Sequence, residues 1–472
     1  MSGSGMQSLF GRIQTKAHQT ASRMADQHVK LAVTGLSGAG KTAFITSLVN
    51  QLLEGNGTAN LPFFTLTKEQ RLVGVRRVAQ PDVRLARFAY EQGMEALNAA
   101  QPSWPVPTRG VSQIRLHVRY KPGQGVSRYL FDQSTLILDI LDYPGEWLLD
   151  LPLLGMDFPQ WSAFCTQQME EGGREVLSQP FRQAMKNLDW LGQENELQLQ
   201  QLAEVFRQYL SDCKKHGLEL VQPGRFVLPG ELEGAPVLQF IPFIGEQAQM
   251  DWQHIPSGSN LALAMERFEQ YRTKVVKPFY KAYFSDFDRQ IVLVDCLSAL
   301  NRGEQAFDEL QRAINWILKS FDYGKNSLLR RMFSPRIDKL VFAASKADHI
   351  TPDQQDNLIR LLESMVHNAR QDMQYRGVRI QTTALAAIRA SNVGQTQYQG
   401  QRLSVLSGHD LNGQPITLYP GDVPARRPAP TFWQSQGFEF PNFAPPLRDP
   451  LTALPHIRMD QMLEFLLGDK LA

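Results

Sequence analysis

With 472 residues the chain exceeds one compact core of ordinary size, so two or more lobes are expected. Hydrophobic residues make up 43% and the formal net charge is +2, which excludes a disordered or strongly basic chain and gives no electrostatic reason to expect nucleic acid. Three cysteines, Cys165, Cys213 and Cys296, lie far apart without metal-type spacing, which argues against a disulfide framework or a zinc cluster.

At the N-terminal end, residues 7–26 carry Leu9, Phe10 and Ile13 among basic and polar positions. This weakly amphipathic stretch is expected to dock on the main domain, with peripheral membrane contact as the alternative. No apolar run approaches the ~20 residues of a spanning helix, and no secretory apolar region opens the chain, so a cytoplasmic location is expected.

The first strong signal runs from Leu31 to Phe44, where an apolar strand passes through a glycine-rich turn into a helical period. Gly35, Gly40, Lys41 and Thr42 satisfy the G-x-x-x-x-G-K-[ST] phosphate-loop pattern in that context. Glycines let successive N–H groups of the loop, Gly35 through Ala43, face phosphate oxygens, and the helix presents its positive end to the same anion. Ser37, Gly38 and Ala39 form the bend, Lys41 reaches the β- and γ-phosphates, and the Thr42 hydroxyl supplies a ligand to Mg²⁺.

Residues 58–105 lengthen the interval before the next loop and read as an insertion made mainly of one helix over 84–100, with Arg76, Arg77, Arg84 and Arg87 as a solvated basic face. Thr108 then precedes the alternating strand Ile114–Tyr120, where switch-type nucleotide hydrolases carry a sensor of Mg²⁺ and the γ-phosphate. The strand Thr135–Asp142 ends in D-x-x-G: Asp142 is the expected Mg²⁺ carboxylate, and the Gly145 N–H faces the γ-phosphate. Asp139, three residues earlier, points to the other strand face and is read as packing or ion pairing. Glu146 stands where many GTPases orient the attacking water, so it is either a general base or a carboxylate that repels the γ-phosphate and slows turnover.

Residues 148–286 change to long helical patterns and read as an inserted, mostly helical domain. The sheet resumes at Gln290–Cys296, and a second strand over Lys339–Ala344 ends in Ser345-Lys-Ala-Asp348. In the [NT]-K-x-D pattern the Asp accepts from N1–H and the 2-amino group of guanine while the Lys stem covers the ring. Here Lys346 and Asp348 take those roles, and Ser345 replaces the residue that ties this loop to the phosphate loop. Thr383, Ala384 and Leu385, after a further helix, stand where GTPases put a small-residue loop against the base. Residues 391–472 read as a hairpin, a proline-rich wrap and a terminal helix.

With these motifs the chain resembles the YcjX family of bacterial P-loop proteins, which are associated with stress responses. The local features are G-L-S-G-A-G-K-T at Gly35–Thr42, L-D-Y-P-G-E-W at Leu141–Trp147 and S-K-A-D at Ser345–Asp348. The resemblance implies a GTPase-like fold and a GTP-binding role.

The expected fold is therefore a doubly wound α/β P-loop domain over 27–147 and 287–390, with a mainly parallel sheet containing one antiparallel strand, the helical domain inserted, and the C-terminal appendage added. Slow, Mg²⁺-dependent hydrolysis of GTP to GDP is the expected reaction, with Lys41, Thr108 and Glu146 as its catalytic candidates and Thr42, Thr108 and Asp142 as metal ligands. A protein effector is expected at the helical domain, and loss of the γ-phosphate should be felt in residues 100–112 and 142–160. Two alternatives stand beside it: an ATPase in which Asp348 does not read the base, and a nucleotide-stabilised scaffold with little turnover.

Overall fold

A computed structural model describes residues 27–36, 38–54, 60–108, 110–123, 132–245, 250–284, 287–319, 337–398, 400–435 and 437–471. Ser37 and the amphipathic stretch 7–26 lie outside the described residues.

The sheet is built from β1 (Gln27–Gly35), β2 (Leu72–Val78), β3 (Ala86–Arg87), β4 (Ser112–Tyr120), β5 (Ser134–Asp142), β6 (Arg289–Val294), β7 (Lys339–Ala344) and β8 (Arg379–Ala384). Its order is β2-β4-β5-β1-β6-β7-β8, with β3 pairing beside β2 on β4. Strand β4 is antiparallel to both β2 and β5, while β1, β5, β6, β7 and β8 pair in parallel, so β4 is the one reversed strand of the path. The buried central strands β6 and β7 read as continuous apolar runs because both faces are covered.

Strand periodicity separates the two faces. Val29, Leu31 and Val33 of β1 join the core made with helix α1 (Lys41–Glu54) and the C-terminal helix (Met459–Leu467). Ala32, with Val292, Val294, Leu340 and Phe342, faces the opposite core, covered by the helices Glu304–Lys319 and Gln355–Tyr375.

That second core runs without a break into the inserted lobe, whose helices include Phe158–Glu170, Arg174–Met185, Glu196–Lys215 and Asn260–Gln270. Inside the lobe Trp161 stacks on Phe268 at 4.9 Å and meets Phe240 edge-on at 5.2 Å. Arg174, almost fully buried, pairs through two bonds of 2.7 and 2.8 Å with Glu309 and so fastens the lobe to the helix Glu304–Lys319. Polar side chains start these helices: Asp157 and Gln160 form a capping box, and Asn195 and Ser259 accept from the third N–H beyond them.

Three sequence expectations change. The insertion 58–105 contributes the edge strand β2, and its helix spans only Tyr90–Asn98; Leu72-Val-Gly-Val-Arg-Arg-Val pairs with β4, so Arg76 and Arg77 belong to a strand. The basic run is internally compensated, with Arg77 on Glu91 and Arg84 bidentate on Asp82. The C-terminal hairpin is a three-stranded sheet, Asn392–Tyr398, Gln401–His409 and Pro415–Leu418. Among the described residues no helix is long and apolar enough to cross a membrane, and Cys165, Cys213 and Cys296 are buried free thiols.

Candidate functional site

At the end of β1 the chain turns with Gly38 and Gly40 at φ of 82° and 84°, values that favour glycine, before α1 begins at Lys41. The turn is closed by Ala39 N–H donating to the Leu36 carbonyl and Phe44 N–H to that of Gly40. Close approach explains Gly35 as well, since a Cβ there would lie 2.6 Å from the Leu293 carbonyl oxygen. Lys41 Nζ folds back to the Gly35 carbonyl at 2.5 Å, and Thr42 is half-buried beside it. The described part of the turn thus sets Gly38, Gly40 and Lys41 between the end of β1 and the start of α1.

Strand β5, parallel to β1, delivers Asp142 to the same end of the sheet. Thr108 arrives from the proline-rich loop and donates its hydroxyl to Asp142 Oδ2 at 2.5 Å. Among the described residues the other oxygen, Oδ1, is buried without a partner. Burial raises the Asp142 carboxyl above the usual carboxylate range, opposed by the charge of Lys41 and the Thr108 bond. The Asp142 carboxyl, with one oxygen free among the described residues, and the Thr108 hydroxyl on the other are oxygen ligands of the hard type that Mg²⁺ takes. Gly145 then packs against the phosphate loop so tightly that a Cβ would fall 2.3 Å from the Gly35 carbonyl oxygen.

Glu146 is 2% exposed and forms an ion pair with Lys214, in the last turn of the helix Glu196–Lys215. Burial alone would raise this carboxyl, but the charges of Lys214 and then Lys41, with the Lys214 hydrogen bond, hold it below its ordinary value. Sequence reasoning missed Lys214. It stands 68 residues from Glu146, and a lysine at a helix C-terminus is otherwise explained by the helix dipole.

The lobe also encloses the segment that follows. Gly145–Gly155 forms a 3₁₀ run in which Gly145 through Leu153 are buried. Trp147 Nε1 donates to the Leu228 carbonyl at 2.8 Å, and the Arg225 guanidinium lies 3.1 Å above the Trp147 ring. Asp150 accepts from the Gly224 N–H at 2.7 Å and from the Tyr271 hydroxyl at 2.5 Å, and burial pushes its carboxyl up to about 6.

A cavity of about 100 Å³ lies between Gly35, Leu36, Gly38 and Ala39, Asp295, Lys346 and the lobe residues Gly217 and Glu219. Lys346, at φ 61°, pairs with Asp295 at 2.6 Å and reaches the Ser298 hydroxyl at 3.2 Å. Ser345 ties the loop to β6 instead of to the phosphate loop, its N–H and hydroxyl both donating to the Val294 carbonyl. Asp348 is 4% exposed; its Oδ2 accepts from the Ala390 N–H at 2.8 Å, and its carbonyl accepts from Ser391.

The small-residue stretch ends beside the Ser345–Asp348 turn, the Leu385 carbonyl accepting from the Ala347 N–H at 3.1 Å. Thr383 and Ala384 lie inside β8, paired with Ala343 and Ala344, and Leu385 N–H continues that pairing to the Ala344 carbonyl. The chain leaves the sheet only afterwards, so Ala387 meets Ser47 of α1 and Ala390 meets Asp348. Asp139 takes a structural role, bound by Arg115 at 2.5 and 2.6 Å and by His28 at 2.7 Å.

Residues 29–471 match the model of the YcjX-like family, DUF463. The chain is 46% identical over 463 residues to the protein named Ras-like GTPase YcjX of Escherichia coli (strain K12), covering 98% of this chain and 99% of that one. It is 44% identical over 476 residues to the protein of the same name from Shewanella oneidensis, covering 98% of each.

Proposed function

The chain belongs to the YcjX-like family, and from that premise we propose that it binds guanine nucleotide and hydrolyses GTP to GDP in a Mg²⁺-dependent switch cycle. The relatives' name, Ras-like GTPase, supports the substrate class. The observation that carries the reading is the convergence at the end of β1: the Lys41 charge acts on Asp142, whose Oδ1 has no partner among the described residues, Thr108 is bound to that Asp, and Gly145 presses on Gly35.

Thr42, Thr108 and Asp142 would hold Mg²⁺, which supplies charge neutralisation at the β- and γ-phosphate oxygens. Lys41 exchanges the Gly35 carbonyl for phosphate, and Gly145 offers its N–H to the γ-phosphate. Glu146, ionised by its pair with Lys214, accepts a hydrogen bond from the attacking water. With no added activator such a constellation is expected to turn over slowly. The lobe, which encloses the segment after Gly145, is the proposed relay to a protein effector, and a bacterial stress response is its proposed setting.

A second reading is favoured by Asp348, one of whose oxygens is already held by the Ala390 N–H: the base is then not read there, and ATP is accepted as well. Competition of GTP, GDP and ATP against a fluorescent guanosine diphosphate, with and without Mg²⁺, tests both. Preference for GTP and GDP with loss of GTP affinity on chelation supports the GTPase reading; equal affinity for ATP favours the second, and no nucleotide binding overturns both.

A further inference from the structure

We propose that the inserted helical lobe completes the γ-phosphate side of this site in cis, through Lys214, which acts as a positioning residue by neutralising and orienting Glu146. The inference rests on the GTPase reading above and deepens it by naming which part of the chain makes a triphosphate acceptable.

Glu146 directly follows Gly145, which touches Gly35 of the phosphate loop, and its carboxylate feels the charge of Lys41, the loop's own lysine. A carboxylate there faces the same region as the incoming γ-phosphate, and two like charges in a site shielded from water repel. Lys214 removes the conflict. Its ammonium pairs with Glu146 Oε1, and its side chain is 19% exposed.

The lobe is held in register for this task. Gly224 packs on the Glu146 main chain, where a Cβ would lie 2.0 Å from the carbonyl oxygen. Beyond the helix, Gly217 and Glu219 line the cavity with Gly35, Leu36, Gly38 and Ala39. Gly217, at φ 80°, makes the turn that ends the helix just past Lys214. The other charged groups around the pair are Glu219, with Arg302 and Asp295 behind it. Glu219 pairs with Arg302 at 3.6 Å and, among the described residues, keeps its other oxygen buried without a partner, while the charge of Lys214 acts on both Glu146 and Glu219.

Two consequences separate this role from mere packing. GDP lacks the γ-phosphate and should be indifferent to Lys214, whereas GTP should not. The effect should also run through Glu146, so that removing the carboxylate restores what removing the lysine destroys.

The test uses the full chain and a titration with fluorescent guanosine diphosphate and a non-hydrolysable GTP analogue, followed by single-turnover hydrolysis. Lys214→Met is expected to keep GDP affinity, weaken the GTP analogue at least about 10-fold and slow hydrolysis by roughly 100-fold. Lys214→Arg is expected to restore most of both. In the double variant Glu146→Gln, Lys214→Met, analogue affinity is expected to return while hydrolysis stays slow. In the double variant Glu146 is no longer left as an unpaired buried charge and Glu219 keeps Arg302 at 3.6 Å, so this variant reports even if Lys214→Met fails to fold.

If wild-type protein binds and hydrolyses GTP and Lys214→Met, or the double variant where the single one does not fold, hydrolyses it as fast, the Lys214 assignment is overturned and the GTPase reading stands. Equal weakening of GDP and analogue in Lys214→Met, or no recovery of analogue affinity in the double variant, also overturns it. If wild-type protein binds no guanine nucleotide, the GTPase reading falls and takes the proposal with it.

Discussion

Gly224 of the lobe lies so close to Glu146 of the nucleotide domain that a Cβ on the glycine would sit 2.0 Å from the Glu146 carbonyl oxygen. The contact is backbone to backbone, so no rotamer change relieves it. Gly224→Ala is expected to push the lobe from the Gly145–Gly155 segment and to cost about 1–3 kcal/mol, the range for overpacking. Urea unfolding followed by Trp fluorescence measures it, and an unchanged midpoint at unchanged slope would contradict the contact.

Lys41→Ala removes a phosphate-directed charge from a loop whose shape comes from Gly38, Gly40 and the Phe44-to-Gly40 bond, none of which involves the lysine side chain. The variant is expected to remain folded and to lose GTP affinity by at least about 10-fold, since a hydrogen bond to a charged group is worth roughly 1.5–3 kcal/mol. Unchanged GTP affinity in folded protein would remove the phosphate-loop assignment.

The nucleotide-binding half was legible because its signals are local. Gly35–Thr42, Asp142–Gly145 and Ser345–Asp348 are short motifs at strand ends, and the strand pattern ordered them on one sheet edge. Thr108 was legible from its place before an alternating strand, and its hydroxyl does meet Asp142. What stayed hidden depends on long-range packing. Lys214 reaches Glu146 only because the lobe folds over the sheet and shares its core. Arg225 on Trp147, and Ala390 on Asp348, likewise carry no spacing signal. Strand β2 was hidden by its edge position, where a half-exposed Leu72–Val78 lacks the apolar run of a central strand.

Asp348 anchors Ala390 through one oxygen, and the base reading proposed for the Ser345–Asp348 turn falls to the same carboxylate. Asp348→Asn supplies an amide that pairs with the 2-oxygen of xanthine where the carboxylate repels it. The expected outcome is a shift of preference from GTP toward xanthosine triphosphate in a competition titration. Unaltered GTP preference would assign the base reading to other groups and leave Asp348 with the anchoring role alone.

Glu219 predicts a pH dependence of stability. Burial pushes its carboxyl to about 7, against the pull of Lys214 and Arg302, while Glu146 and Asp295 push it further up. The folded protein therefore holds this proton at pH values where the unfolded chain, at about 4.3, has released it. Native protein binds more protons between these values, so the contribution is full below about 4.3 and is lost as pH rises toward 7. Glu219→Gln cannot ionise and is expected to gain on the order of 2–3 kcal/mol relative to wild type at pH 8, with little difference at pH 4. Chemical denaturation of both proteins at the two pH values measures it, and a pH-independent difference would rule out the titration.

The two loops at the γ-phosphate side are fastened very differently, which decides where a nucleotide signal should appear. Segment Gly145–Gly155 is buried within the lobe: Leu149 accepts from Gln222 at 2.6 Å and from Trp316 at 3.0 Å, and Asp150 is bound by Gly224 and Tyr271. One or two phosphate bonds, each roughly 1.5–3 kcal/mol, add little order to a segment already so held. Thr108 instead sits in a loop whose side-chain anchors among the described residues are its own bond to Asp142 and, four residues earlier, that of Trp104 to the Phe443 carbonyl at 2.9 Å. A non-hydrolysable GTP analogue is therefore expected to protect residues 104–108 from hydrogen exchange more than GDP does, and residues 145–155 to exchange slowly with either ligand. The sequence alone suggests a response in both stretches; the lobe narrows it to the first, with segment 145–155 moving only as part of the lobe. Strong protection of 145–155 by the analogue over GDP would mean that the clamp opens during the cycle, and equal exchange at 104–108 would argue for a static nucleotide-bound scaffold.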